Sequence, residues 1–366
     1  MSTSSSSSPS SSSSQVANEV KAQGYAAFDP TSSLKPFVFH RRSPEKTDVQ
    51  IKILFCGICH SDVHWVKGDW GPQTYPVVPG HEIVGRVESV GPAVKKFKVG
   101  DLVGVGCLVD SCRECGSCRE DEEQYCERGG TFTYGSPDPR GGITQGGYSS
   151  HIVVEERFVL RVPESISPAS AAPLLCAGIT TYSPLKHWKA GPGQHIAVAG
   201  LGGLGHMAVK IARAMGAHVT VLSTSLKKQK DAERLGAHEF IALSGANDFA
   251  KSAKKFDLII NTISASHSYD AYLSLLKKNG TMVLVGLPGP QPVQAFSLVG
   301  GRRRLAGSLI GGIRETQEML DFCAQHKIAA DIETVNPEQI NSAYERLLKN
   351  DVHYRFVIDL QAEAGS

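Results

Sequence analysis

Two hydrophobic rhythms divide the chain. From about Val20 to Val162, apolar and polar residues alternate in short runs such as Val49-Gln-Ile-Lys-Ile-Leu-Phe and Ile83-Val-Gly-Arg-Val-Glu-Ser-Val, with glycine and proline between them. Period-two alternation puts every second side chain on one face, so this part predicts strands joined by turns. Gly100-Asp101 reads as a turn feeding a strand at Leu102-Val-Gly-Val. An apolar helical stretch begins around Pro168 and runs to Leu185. From His195 onward strands alternate with helices. Ile196-Ala-Val-Ala, His218-Val-Thr-Val-Leu, Phe240-Ile-Ala-Leu, Asp257-Leu-Ile-Ile and Thr281-Met-Val-Leu-Val are the strands. Gly205 to Met215 and Lys227 to Leu235 are helices, the second stopped by Gly236. That order predicts a parallel sheet with helices on both faces. After Gly312 come helices over Glu315 to His326 and Ile340 to Lys349, then a closing strand, Tyr354-Arg-Phe-Val-Ile-Asp.

A length of 366 residues fits two domains. The 38 Lys and Arg nearly balance the 36 Asp and Glu, which leaves no basic field for nucleic acid and no acidic tail. No apolar run reaches the ~18 residues that span a bilayer. Residues 1–16 open with a serine run that has nothing apolar to bury, and are expected to be disordered. The run lacks the apolar core of a secretory signal, and the first basic residue is Lys21, so a cytosolic extension is expected. Nine cysteines, an odd count, point to a reducing cytoplasmic setting with metal use rather than a disulfide framework.

Four of those cysteines, Cys112, Cys115, Cys118 and Cys126, stand in a C-x2-C-x2-C-x7-C array. Four thiolates close a tetrahedral zinc site and leave no position for water, so this cluster predicts a structural metal and places the chemistry elsewhere.

Gly200, Leu201, Gly202, Gly203, Leu204 and Gly205 follow a predicted strand and open a predicted helix. Glycines there let the backbone approach a pyrophosphate at a helix N-terminus. About 20 residues on, where an acid would bind the ribose hydroxyl of NAD, the chain has Ser223, Thr224 and Ser225, then Lys227 and Lys228. Hydroxyl donors and ammonium charge suit a 2′-phosphate, so the expected cofactor is NADP(H).

Cys56-Gly-Ile-Cys-His-Ser-Asp-Val-His64, Gly80-His-Glu82 and Leu175-Cys-Ala-Gly178 carry further metal-ligating types. Spacing alone does not declare a site, because a lone cysteine such as Cys176 is ordinarily a small buried apolar residue. Gly80-His-Glu-Ile-Val-Gly-Arg-Val-Glu-Ser-Val-Gly-Pro-Ala-Val94 resembles the zinc signature of medium-chain zinc alcohol dehydrogenases. The cysteine lobe and the glycine loop fit the same family. Gly-Ile-Cys-His-Ser-Asp-Val-His, Cys-Ala-Gly-Ile-Thr-Thr-Tyr-Ser-Pro-Leu and Gly-Leu-Gly-Gly-Leu-Gly-His-Met are similar to its cinnamyl alcohol dehydrogenase branch, which includes broad-range NADP-dependent aldehyde reductases. The likeness runs from about Ala17 to Asp359.

The resemblance implies an α/β fold: a β-rich GroES-like catalytic domain over 17–175 with a zinc lobe at 112–126, a Rossmann doubly wound cofactor domain over 176–312, and a return to the catalytic domain over 313–366. It implies two zincs per chain, the catalytic one held by Cys59, His81 and Cys176. Glu82 can approach that metal during ligand exchange, and Asp62 orients His81. Zinc acts on the aldehyde oxygen while the nicotinamide delivers hydride. Ser61 lies beside the reacting oxygen, and the proton path runs through the cofactor ribose to His64. His60, Thr180, Thr262, Gly286, Ser308, Leu309 and Ile310 are implied cofactor contacts. Trp70, Phe132 and Leu309 are implied pocket walls. Phe132 stands where dedicated lignin-pathway members carry tryptophan, which favours a broad aldehyde reductase. Cys56, Cys107 and Cys323 are expected to be structural. The family also implies a homodimer through edge strands of the cofactor domain, near Thr281 to Leu298. A polyol dehydrogenase would use an acid to bind NAD and a different third ligand, so Ser223 and Cys176 oppose that reading. A non-catalytic zinc and nucleotide binder, or an alkene or iminium reductase, would be expected to have lost or altered Ser61, His64 or a ligand. All are present.

Overall fold

The structure, a computed structural model, describes residues 19–361. The expectation of a disordered segment over residues 1–16 lies outside the described residues.

Strands β1 (Val20–Ala26) and β2 (Lys35–Arg41) pair antiparallel as a separate ribbon. β3 (Asp48–Ile58) follows, where alternation does what it predicts: Val49, Ile51 and Ile53 are buried while Lys52 faces solvent. α1 (His60–Lys67) leaves β3 directly and ends at Gly68, whose φ of 71° supplies the left-handed stop. β4 (Ile83–Val90), β5 (Leu102–Val105) and β6 (Leu108–Asp110) lead to the four-residue α2 (Gly116–Arg119) in the cysteine lobe. β7 (Thr131–Phe132), β8 (His151–Glu155) and β9 (Leu160–Arg161) complete this part.

After α3 (Pro168–Ala171) and α4 (Ala177–His187) the rhythm changes as expected. β10 (His195–Ala199), α5 (Gly203–Ala214), β11 (His218–Ser223), α6 (Gln229–Arg234), β12 (Glu239–Ala242), α7 (Ala246–Lys251), β13 (Phe256–Asn261), α8 (Tyr269–Ser274), β14 (Leu276–Leu284), α9 (Ala295–Val299) and β15 (Arg304–Gly307) alternate. The strands pair in parallel in the order β12-β11-β10-β13-β14-β15. This is the doubly wound order, which opens a ligand crevice beyond the carboxyl ends of its strands. Both faces are covered. Ile196, Val198, Val221 and Ile260 join the main core, whereas Ala197, Ala199, Leu222 and Ile259 form a second one with Phe256 and Tyr272.

The chain then passes through α10 (Ile313–Gln325), β16 (Ile332–Val335), α11 (Ile340–Leu348) and β17 (Arg355–Asp359). β17 lies between β16 and β3 in the seven-stranded sheet of the first half. The last strand thus brings its side chains to residues near the start of the chain.

Three expectations shift. α5 begins at Gly203 rather than Gly205, and Lys227 to Leu235 divides into a 3-10 turn at Leu226–Lys228 and then α6. The region near Thr281 to Leu298 is not the sheet edge: β14 is paired on both sides, and the outer strand is β15. Four residues, Arg304-Leu-Ala-Gly, carry too little alternation to be read as a strand. Among the described residues no helix is long and apolar enough to cross a membrane.

Candidate active site and metal centres

The sulfurs of Cys112, Cys115, Cys118 and Cys126 all lie within 4.8 Å of one another. Tight local turns assemble them: Cys115 caps α2, Cys118 lies in it, and Cys126 ends the 3-10 turn at Glu123–Tyr125. Backbone N–H groups point at the sulfurs, from Cys112 to Cys126 Sγ at 3.5 Å, from Cys115 to Cys112 Sγ at 3.4 Å and from Glu127 to Cys115 Sγ at 3.5 Å. Backbone N–H groups of Glu114 and Cys115 bring the Cys112 thiol down to about 6, while burial pushes Cys118 up to about 12. Four thiolates cannot coexist at this spacing without a cation between them, so the donor set fits zinc.

This lobe touches more than itself. Glu123 Oε2 accepts the Ile313 N–H at 3.0 Å, capping α10, and Tyr125 Oη accepts the Leu309 N–H at 3.1 Å. A side chain at Gly312 would strike the Asp121 carbonyl, so only glycine admits this docking. The lobe therefore clamps the segment Leu309–Ile313, where Ile310 holds a positive φ of 36°.

A second set, Cys59, His81, Glu82 and Cys176, is buried throughout, with ligand atoms within 4.8 Å of one another. Cys59 is the N-cap of α1, His81 and Glu82 precede β4, and Cys176 is the N-cap of α4. Cys59 Sγ and Cys176 Sγ are 4.0 Å apart. The Cys176 thiol, aimed at Cys59, holds Cys59 well below the usual thiol range. Burial works against a charge on His81, yet the Asp62 carboxylate pushes it up. A cation seated here would replace that proton and remove the conflict. Glu82 Oε2 is buried with no partner, and a side chain at Gly57 would fall on it. A buried carboxylate with one unpartnered oxygen, grouped with two thiols and an imidazole, is a polar cradle that a divalent cation satisfies.

Asp62, fully buried on α1, organises the surroundings. It accepts from the backbone of Cys59 at 2.8 Å and Gly80 at 3.1 Å, and from the hydroxyls of Tyr134 at 2.7 Å and Tyr148 at 3.1 Å. Its Oδ1 is 3.2 Å from His81 Nδ1, which fixes the ring and leaves Nε2 for the cluster. The Ser61 hydroxyl lies 3.5 Å from Cys59 Sγ. His64, one turn further along α1, is half-exposed, with Nδ1 2.8 Å from Asp69 Oδ2. His60 stands 6.5 Å from it ring to ring, and burial lowers its pKa.

The glycine loop sits between β10 and α5. Gly200 has φ 90°, and a Cβ there would press on the Thr262 hydroxyl at 2.9 Å. Gly205 abuts the Gly200 carbonyl, whereas a Cβ at Gly202 meets nothing, so room for a pyrophosphate remains where the backbone should approach it. Leu201 is buried and Leu204 is partly buried behind the loop. Thr262 donates to the Ala199 carbonyl at 2.9 Å and closes the loop from β13. Gly286 crowds the Ile263 carbonyl, and the Ser308 N–H bonds Leu284. Thr180 is buried one turn into α4 from Cys176. Ser223 ends β11, Thr224, Ser225 and Lys227 are exposed, and Lys228 folds back so that Nζ reaches the Leu201 carbonyl at 2.6 Å. The end of β11 carries no acid.

The implied pocket residues meet different partners. The Trp70 ring lies 5.4 Å from that of His64, Leu309 is held by Tyr125, and Phe132 lies in β7 two residues before Tyr134. Cys56 is buried in β3 and lies outside the ligand set. Cys107 is half-buried, with its Sγ 3.9 Å from the Leu175 carbonyl, and lies outside the ligand set. Sequence reasoning missed Arg355. From β17 it pairs with Glu82 Oε1 and lies against Gly203, where a Cβ would come within 2.8 Å of its Cδ. It ties the metal-ligand set to the dinucleotide loop. The only signal was a charged residue heading the apolar run Phe356-Val-Ile in the closing strand.

An alcohol dehydrogenase GroES-like domain matches residues 45–164, and a zinc-binding dehydrogenase domain matches 203–325. The chain therefore belongs to the zinc-binding alcohol dehydrogenases. Its branch is that of the cinnamyl alcohol dehydrogenases and NADP-dependent aldehyde reductases. NADP-dependent alcohol dehydrogenase C 1 of Mycolicibacterium smegmatis is 58% identical over 337 residues, covering 92% of this chain and 97% of that one. Aldehyde reductase YahK of Escherichia coli is 53% identical over 344 residues, covering 93% and 98%. A cinnamyl alcohol dehydrogenase from Sorghum bicolor superposes with a TM-score of 0.91 at 49% identity, covering 93% of this chain and 98% of that chain. One from Helicobacter pylori, complexed with NADP(H), gives 0.89 at 43%, covering 94% and 99%.

Proposed function

We propose that this chain interconverts aldehydes and primary alcohols of aliphatic, benzylic or cinnamyl type, using NADP(H) and a zinc held by Cys59, His81 and Cys176. The observation that carries the reading is the buried Cys2His set with an orphaned Glu82 oxygen, joined through Arg355 to the glycine loop. Zinc supplies a Lewis acid for the carbonyl oxygen, and NADPH supplies the hydride. Asp62 locks His81 in the tautomer that leaves Nε2 free. Arg355 holds Glu82 Oε1, and Oε2 stays unpartnered. Ser61, beside Cys59, is placed to donate to the reacting oxygen, and half-exposed His64 takes up a proton from solvent to replace the one spent. Lys228 and the hydroxyls of Ser223, Thr224 and Ser225 form the binding set for the 2′-phosphate. An acid-free β11 terminus supports NADP(H) over NAD(H).

The reading is tested by initial rates on a panel of aliphatic, benzylic and cinnamyl aldehydes with each cofactor. NADPH should exceed NADH in kcat/KM by about 10-fold or more. Strong NADH use with little NADPH use would overturn it.

The lobe clamp adds an expectation. Cys115→Ser should lose one zinc and loosen Leu309–Ile313. The KM for NADPH should rise about 3- to 10-fold before kcat changes, because the clamped segment positions and does not react. Unchanged KM after loss of that metal would disconnect the lobe from the cofactor wall.

A homodimer belongs to the same proposal. Leu287, Phe296 and Val299 are 65%, 78% and 70% exposed in the segment between β14 and β15, and β15 is the outer strand of its sheet among the described residues. Sedimentation at twice the 39.2 kDa chain mass is expected, and a monomer at working concentration would remove this part. A cytosolic location is supported by nine cysteines with no disulfide among them and is checked by cell fractionation.

A further inference from the structure

His195, His218 and Glu239 are the first residues of β10, β11 and β12, three neighbouring strands of the cofactor sheet. The parallel register sets His195 beside His218, and Glu239 beside Thr220, two residues on from His218. Residues two apart share a face, so all three side chains emerge on the same side of the sheet. One ligand atom from each lies within 4.8 Å of the others. His218 Nε2 and Glu239 Oε1 are 3.3 Å apart. Tetrahedral bonds of about 2.0–2.1 Å put donor atoms about 3.4 Å apart, so this edge of a coordination polyhedron is already in place.

The surroundings hold the two rings. His195 packs edge-on against Phe256 at 5.0 Å, its Nε2 lies 2.9 Å from the Thr220 hydroxyl, and its backbone N–H bonds Asp257 at 2.9 Å. His218 stacks on His238 at 4.4 Å, and His238 is itself fixed by the Val219 N–H and by Arg213. Glu239 gives its other oxygen, Oε2, to Lys255 at 2.5 Å, which leaves Oε1 turned to His218. Lys277 pairs with Asp257 rather than with this group. All three side chains are partly exposed, so a fourth position is open to water. Burial brings His195 down to about 4, so at neutral pH its ring is a free base.

We infer that His195, His218 and Glu239 form a third, peripheral binding site for a divalent transition metal of the imidazole-preferring group, Ni2+, Cu2+ or Zn2+. Two imidazoles and one carboxylate are the donor set such ions favour over Mg2+ or Ca2+. The site sits at the amino ends of the strands, about 15 Å along β10 from the dinucleotide loop at their carboxyl ends. Metal there would tie three strand starts together and stabilise the folded sheet by mass action, without entering hydride transfer.

The test uses the full, untagged chain with its tightly bound zinc retained. Ni2+ is offered in equilibrium dialysis with metal analysis, and thermal unfolding is followed in parallel. Wild type should take up about one Ni2+ per chain and unfold at a higher temperature. His218→Ala and Glu239→Gln should each lose that equivalent and the shift, at wild-type rates of aldehyde reduction. X-ray absorption on the wild type should show two imidazole ligands to the added metal, a readout independent of whether the variants fold. No uptake by wild type, uptake unchanged in both variants, or fewer than two imidazoles would overturn the site.

Discussion

Replacing Cys176 by alanine will leave a folded protein that binds NADPH and reduces aldehydes at a rate lower by on the order of 10^3-fold or more. On the proposed reading Cys176 supplies one of two thiol ligands, 4.0 Å from the other, and the neighbouring Glu82 carboxylate is already held by Arg355. Two ligands do not retain zinc as three do, so metal content should fall by one equivalent while the cysteine lobe keeps its own. The fold should survive, since losing one buried sulfur costs about 1 kcal/mol, within the range of ordinary core substitutions. The glycine loop contributes nothing to that loss, so the dissociation constant of NADPH should stay within a few-fold. Metal analysis and a fluorescence titration check both arms. Retained metal with activity within tenfold of wild type would show that Cys176 is not a ligand.

Asp62→Asn carries the second large effect, and here stability is the readout. The Asp62 carboxylate accepts two backbone N–H groups and two tyrosine hydroxyls, and faces His81 Nδ1, all in a fully buried setting. Asparagine keeps one acceptor oxygen and turns an amide N–H2 towards groups that are themselves donors. Breaking such a buried network costs about 3–5 kcal/mol, since each unpaired donor loses its solvation as well as its partner. The same change frees the His81 ring, and losing a ligand's outer partner weakens metal binding about 10- to 100-fold. Urea unfolding and competition with a chelator measure the two. An unfolding free energy within about 0.5 kcal/mol of wild type would remove Asp62 from the centre of the network.

What was legible in the chain shares one property: the information lay within a loop or a turn. Cys112 to Cys126 close a site within a single short lobe. Gly200 to Gly205 turn one strand into one helix, and Ser223 to Lys228 follow one strand end. Pattern alone gave the alternating strands and helices of the cofactor part, because the inner strands β10, β11 and β13 are covered on both faces. The short strand β15 escaped, and with it the position of the sheet edge. Cys59, His81 and Cys176 could be joined only through likeness to a family, since no local spacing links them.

The sequence by itself determined the two architectural rhythms, the closed cysteine lobe, the glycine loop and the absence of an acid at the end of β11. Each follows from residue chemistry that acts over one or two turns of chain. Tertiary structure alone decided that Arg355 meets Glu82 across 273 residues, that Tyr134 and Tyr148 converge on Asp62, that the lobe grips Leu309–Ile313, and that His195, His218 and Glu239 stand side by side. Those meetings depend on strand order and register. β17 must thread between β16 and β3 before Arg355 reaches the site, and a one-residue slip between β10, β11 and β12 would send the histidines to opposite faces.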